Sequence, residues 1–234
     1  MVPLFQAGCN IYGMDISAPM LEKLKSLLPS ADRHRVVQWS TLETPYPVDD
    51  ESFDRVIIPF SSFGLMHEGH IDDLDENKVF HEFYRILRPG GLVILNDARI
   101  YVHDKSGNHK ASIAQQELEG KQDKDMEGHV KDNKLFLTFK QHHPKHGEIK
   151  EEWISTFTLK KTRLIPALVI REREIVFTRL RDHQVLEKQH EIIPVWDAED
   201  YPALGKDAGF EHVKTETTPK FHVSATVAHI FRKP

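Results

Sequence analysis

Asp15 is the residue best placed to do chemistry. It closes the short run Asn10-Ile11-Tyr12-Gly13-Met14-Asp15, just ahead of Ser17 and Pro19. In open parallel sheets, ligands sit outside the carboxyl ends of the strands, where a carboxylate can accept hydrogen bonds from a ligand's hydroxyls. The plainer role for Asp15 is that of a turn aspartate that helps Ser17 start a helix. Ser40 and Thr41 follow another short apolar run, and local loop hydrogen bonds are the simpler account of both. Pro59, Phe60, Ser61 and Ser62 stand just after a third run, in front of His67 and His70, the nearest candidates for a general base. His142, His143 and His146 have a spacing that could serve zinc on a turn. Pro144 and the lack of a nearby cysteine or acid constellation speak against it, and no metal site is expected. The acids Asp72, Asp73, Asp75 and Glu76 read as a solvated helix start that complements the helix dipole.

The elements that must position these residues alternate. Asn10–Asp15 reads as a strand. A helix follows, with Ser17 as N-cap, Pro19 in its first turn, and Met20, Leu21, Leu24, Leu27 and Leu28 on one broad face. Val36–Trp39 is a second short strand, and Phe53–Ile58 a third, whose β-branched run suggests burial on both faces. A helix beginning near Asp72 or Leu74 carries Val79, Phe83, Ile86 and Leu87. Arg88-Pro89-Gly90-Gly91 ends it, and Leu92–Leu95 is a fourth strand. This order implies an α/β fold with a mostly parallel sheet.

Beyond Asn96 the texture changes. Residues 105–132 are polar and read as a flexible or helical connection. Lys134–Gln141, Glu151–Leu159 and Ile165–Arg181 alternate as half-buried antiparallel strands, with a hairpin at Pro144–Gly147. The last part returns to the first pattern: a helix over Tyr201–Ala208 with Gly209 as its C-cap, then strands over Phe210–Thr217 and Val223–Phe231.

A chain of 234 residues can bury one sizeable core, or a core with a smaller appended layer. With 39% apolar and 29% charged residues it has an ordinary globular composition. A net charge of −5 gives no support for nucleic-acid binding. The single cysteine, Cys9, excludes a disulfide framework. With no signal-like start and no membrane-length apolar run, a cytoplasmic protein with no membrane partner is expected.

Several stretches resemble the class I S-adenosylmethionine (SAM)-dependent methyltransferases, in particular their small-molecule branch. These are Gly13-Met14-Asp15-Ile16-Ser17-Ala18-Pro19-Met20-Leu21, Ser52-Phe53-Asp54-Arg55-Val56-Ile57, Phe83-Tyr84-Arg85-Ile86-Leu87-Arg88-Pro89-Gly90-Gly91 and Ala208-Gly209-Phe210, in the family's order. The resemblance implies a Rossmann-like methyltransferase sheet, mostly parallel with a C-terminal antiparallel hairpin, and an antiparallel β insert that often serves as a lid. Residues 1–104 would be the SAM-binding core, 105–194 the linker and insert, and 195–234 the helix and hairpin completing the core. It implies SAM as the methyl donor, with Asp15 accepting the ribose hydroxyls and Ile16 against adenine. Ser40 and Thr41 would lie near the adenine amino group, and Pro59, Phe60 and Ser61 near the methionine part and the small-molecule acceptor. No catalytic base is assigned, because alignment of an already activated donor supplies much of the rate.

The chain departs from the family pattern in two places. The family opens with a strand running into a glycine-rich loop. Here Pro3-Leu4-Phe5-Gln6-Ala7-Gly8 looks like the end of the helix after that loop, so the first strand is expected to be missing and the chain truncated. Ser40 also stands where an acid is common. The expected function is therefore methyl transfer from SAM to a small molecule. The alternative is a non-catalytic methyltransferase-like binding or interaction protein that has lost SAM binding. A dehydrogenase would fit Asp15 and the alternation, but the late hairpin and Ala-Gly-Phe favour the methyltransferase. A missing central strand would leave a sheet edge unpaired and favour a homo-oligomer.

Overall fold

The computed structural model describes residues 1–59, 62–66, 77–98, 118, 126–132, 134–165, 168–197, 199–221 and 224–234. The chain divides into two compact units, Met1–Asp49 and Asp50–Pro234.

In the first unit, helix α1 (Val2–Gln6) leads to strand β1 (Gly13–Asp15), helix α2 (Ala18–Ser26), a 3-10 turn over Ser30–Arg35 and strand β2 (Val36–Gln38). The helical reading of Pro3–Gly8 holds, and Gly8 takes the left-handed φ of 85° at which the chain leaves α1. No strand precedes Gly13 in the described residues 1–12. The Ser17 hydroxyl accepts from the Met20 amide at 3.4 Å, and Pro19 sits in the first turn of α2, where its missing N–H is not needed. β1 and β2 pair in parallel, Gly13 opposite Val36 and Asp15 opposite Gln38. Leu21, Leu28 and Val36 are buried together, with Met1, Phe5 and Leu24 packed against them.

The second unit begins with β3 (Phe53–Ile58), α3 (Ser62–Met66), α4 (Lys78–Ile86) and β4 (Leu87–Ala98). Strand β4 is longer than Leu92–Leu95. The helix stops at Ile86, and the Pro-Gly-Gly stretch is absorbed into the strand at a register shift, with Gly90 at φ 77°. The Gly90 amide donates to the Lys233 carbonyl, and that residue's amide donates back to the Gly91 carbonyl, so the C-terminal residues secure the turn.

After the antiparallel layer come α5 (Tyr201–Asp207), β10 (Glu211–Phe221) and β11 (Ser224–Arg232). The first sheet of this unit runs β10-β11-β4-β3, with β3 parallel to β4 and the other neighbours antiparallel. The sheet is mixed, and it ends in the antiparallel hairpin that the resemblance implied.

The second sheet runs β5 (Met126–Lys131), β6 (Lys134–His143), β7 (Gly147–Lys160), β8 (Leu168–Arg179) and β9 (Val185–Val195), antiparallel throughout. Two of these strands differ from the sequence reading. Met126–Lys131 is a strand, where a flexible or helical connection was expected. Val185–Val195 is also a strand, although its polar run Glu187-Lys188-Gln189-His190 shows no apolar alternation. Both are edge strands, held by ladder pairing to one neighbour, so neither needs a full apolar face. On one face of the sheet Leu135, Leu137, Phe157 and Val169 are buried together. Nearby, the Arg173 guanidinium lies 4.1 Å from the Trp153 ring centroid, and its Nε donates to Ser155 at 3.0 Å.

The core of the four-stranded sheet is aromatic. Phe80 meets Phe63 and Phe231 edge-on, both at 5.5 Å between centroids, and Phe63 meets Trp196 at 5.3 Å and Tyr201 at 5.7 Å. Gly205 in α5 lets the helix approach this cluster, since a Cβ there would meet the Phe231 ring at 2.6 Å. Phe231 is fully buried and cannot step aside. Gly205→Val is therefore expected to lower the unfolding free energy by about 2–3 kcal/mol. Chemical denaturation checks this, and a variant as stable as the parent would show that α5 can shift outward. Gly209, at φ 94°, ends the helix as expected. No helix among the described residues is long and apolar enough to cross a membrane.

Candidate cofactor site

Because β1 and β2 are parallel, their carboxyl ends lie at the same edge of the small sheet. That edge sets Asp15 opposite Gln38, with Ile16 following one strand and Trp39, Ser40 and Thr41 following the other. Asp15 Oδ1 accepts from the Ser17 amide at 2.8 Å, so the turn role is real. It occupies one carboxylate oxygen, and Asp15 remains exposed to solvent. Its carbonyl accepts from the Trp39 amide at 3.1 Å, and the Gln38 side-chain amide donates to the Ile16 carbonyl at 3.1 Å. These two bonds tie the turn after β1 to the end of β2. Gln38 and Trp39 are positioning residues that the sequence reading passed over; their only signal was adjacency to Ser40.

Ile16 is 69% exposed. An isoleucine so placed beside a carboxylate offers apolar surface to a ligand with both a flat apolar part and hydroxyls. Ser40 Oγ accepts from the Leu42 amide at 3.2 Å, and the Thr41 carbonyl accepts from the Tyr46 hydroxyl at 2.9 Å. Both residues thus make the local loop bonds that the simpler account foresaw. In the second unit, Pro59 follows β3, is exposed, and accepts from the Ser62 hydroxyl at 2.6 Å. Phe60, Ser61, His67 and His70 lie outside the described residues.

The other charged groupings are structural. A cavity of about 530 Å³ is lined by Asp50, Glu51, His81, Tyr84, Arg85 and Lys233. It lies at the amino ends of β3 and β4, away from Pro59, and its charges are mutually paired. Lys233 Nζ reaches Glu51 at 3.1 Å and the Leu87 carbonyl at 2.8 Å, and Arg85 reaches Asp50 at 2.5 Å. Asp207 is held by both terminal nitrogens of Arg163, at 3.1 and 3.0 Å, and by the Asn77 amide. Those bonds hold its carboxyl down at about 2. His142 pairs with Glu148 at 2.9 Å, and no metal-holding group of three or more His, Cys, Asp or Glu occurs among the described residues.

Residues 1–95 match the family model described as a methyltransferase domain. The chain superposes on a SAM-dependent methyltransferase from Clostridium acetobutylicum with a TM-score of 0.54 at 13% identity, covering 96% of this chain and 75% of that one. The CcbJ methyltransferase from Streptomyces caelestis superposes with a TM-score of 0.57 at 13% identity, over 100% and 83% of the two chains. This is the fold of the class I SAM-dependent methyltransferases. In sequence, the demethylmenaquinone methyltransferase of Listeria welshimeri is 36% identical over 84 residues, 35% of this chain and 31% of that protein. The enzyme of the same name from Clavibacter sepedonicus is 33% identical over 92 residues, 39% and 34% of the two. The matched stretch thus spans about a third of the length of these curated relatives.

Proposed function

We propose that this chain serves a SAM-dependent methyltransferase that acts on a small-molecule acceptor. The observation that carries the reading is the shared carboxyl end of β1 and β2, where an exposed Asp15 carboxylate stands beside an exposed Ile16. The residues there fit a nucleoside: Asp15 for the ribose hydroxyls, Ile16 for one face of adenine, and the Ser40–Thr41 turn for the adenine edge. Bound SAM would supply an activated methyl group on its sulfonium. The protein's share is alignment, and the Gln38 and Trp39 bonds that hold the Ile16 turn serve it. The relatives' names, demethylmenaquinone methyltransferase among them, support a small-molecule acceptor.

A second reading, a methyltransferase-like binding protein without the cofactor, has one observation in its favour. The Ser40 hydroxyl oxygen accepts from the Leu42 amide, and it stands where the family often presents an acid. Titration calorimetry with SAM separates the two. The first reading expects saturable heat, and Asp15→Ala should weaken the affinity by about 1–3 kcal/mol, roughly five- to 150-fold. No heat at millimolar SAM would favour the second reading, and an unchanged affinity in the variant would remove Asp15 from the site.

A further inference from the structure

We propose that the outer edge of β10 is the seam of a homodimer, in which two copies of this chain pair antiparallel across a two-fold axis at Thr215. Strand β10 is an outer strand of the four-stranded sheet, and among the described residues it pairs with β11 alone. Residues 211–216 are all exposed. An edge of this kind presents a row of backbone N–H and C=O groups that a further strand can take up.

The side chains along this edge select the partner. The register shifts between His212 and Lys214, and the extra residue, Val213, is a β-bulge that sets His212 and Thr215 on one face. There the Thr215 hydroxyl lies 3.0 Å from His212 Nε2 and 3.0 Å from Nδ1 of the buried His229. Lys214 and Glu216 stand on the other face, where they pair with each other at 2.5 Å. Their side chains are 50% and 55% exposed, so the pair adds little to the stability of a single copy, and both groups can exchange partners at little cost.

A two-fold axis normal to the sheet keeps every side chain on its own face, so a residue meets only residues of that same face in the second copy. With the axis at Thr215, Lys214 lies opposite Glu216 of the second copy, and Glu216 lies opposite that copy's Lys214. Directly opposed unlike charges stabilise an antiparallel pair, and like charges destabilise it. Moving the axis by one residue in either direction sets Lys214 or Glu216 against its own equivalent, so the charges fix the register as well as the partner. The bulge at Val213 and Pro219, which has no N–H for a ladder, bound the paired stretch. The other outer strand of this sheet lacks the arrangement. In β3 the opposite charges are the neighbours Asp54 and Arg55, which alternate to opposite faces and cannot meet across such an axis. A seam this short makes a weak dimer, with a dissociation constant on the order of micromolar to millimolar.

Analytical ultracentrifugation of the full chain, from about 1 µM to 0.5 mM protein, reads this directly. The parent chain should pass from monomer towards dimer across that range. Lys214→Glu and Glu216→Lys change only exposed side chains, and each alone should weaken the dimer about tenfold or more, because two attractions become two repulsions. Mixed together, the two variants should associate about as tightly as the parent, since the acidic strand of one then faces the basic strand of the other. A parent chain that stays monomeric throughout would overturn the seam. So would single variants that dimerise like the parent, or a mixture of the two that does not associate.

Discussion

Phe231→Ala is expected to lower the unfolding free energy by about 3–5 kcal/mol, the range for deleting a large buried aromatic ring. Phe231 is fully buried at the centre of the aromatic cluster. It touches Phe80 edge-on at 5.5 Å and His212 at 5.3 Å, and it fills the space that Gly205 leaves open in α5. The surrounding rings come from α4, β10 and β11, three elements that cannot all relax into one cavity. Urea denaturation followed by tryptophan fluorescence tests this, because Trp196 belongs to the same cluster through Phe63. A loss under about 1.5 kcal/mol would mean that the cluster collapses to fill the void, as only volume-conserving changes normally allow.

The second large effect is a loss of stability in acid. His229 has a folded pKa of about 4, against about 6.5 for an unburied imidazole. Between these values the unfolded chain binds the proton and the folded one does not, so stability is complete above about pH 6.5 and falls as the pH drops towards 4. The full loss is about 3 kcal/mol, from roughly 1.4 kcal/mol per pKa unit. Asp207 extends the decline. Arg163 and Asn77 hold its carboxyl at about 2, so its contribution is present above its ordinary value of 3.8 and is lost below that. The two windows follow one another. His229→Leu should flatten the stability profile between about pH 6.5 and 4 and leave the lower window intact. A profile with the same slope in that variant would assign the acid loss to other groups.

Local signals in the sequence were enough for much of the first-unit site. Ser17 and Pro19 announce α2, and the apolar runs on either side of it announce β1 and β2, so Asp15 and Ser40 fall at strand ends on those signals alone. The Gly209 C-cap and the Pro144–Gly147 turn were legible for the same reason: each is a backbone conformation that few residue types favour. The edge strands β5 and β9 were not, because what makes Glu187-Lys188-Gln189-His190 a strand is the ladder to β8 and not its own pattern. The loop bonds of Gln38 and Trp39 were equally silent, since they join residues that meet only once β1 and β2 pair.

By itself, then, the sequence determined the order of most strands and helices, the start of α2, the turn after α5 and the acid at the end of β1. These depend on residues within a turn or two of one another. Tertiary structure decided the rest. It joined Asp15 to the end of β2, absorbed Pro89-Gly90-Gly91 into β4, and shifted the β10 register at Val213 so that His212 and Thr215 reach His229. The physical reason is common to all of these. Pairing between distant strands sets which side chains share a face, and the energy of that pairing belongs to both partners at once.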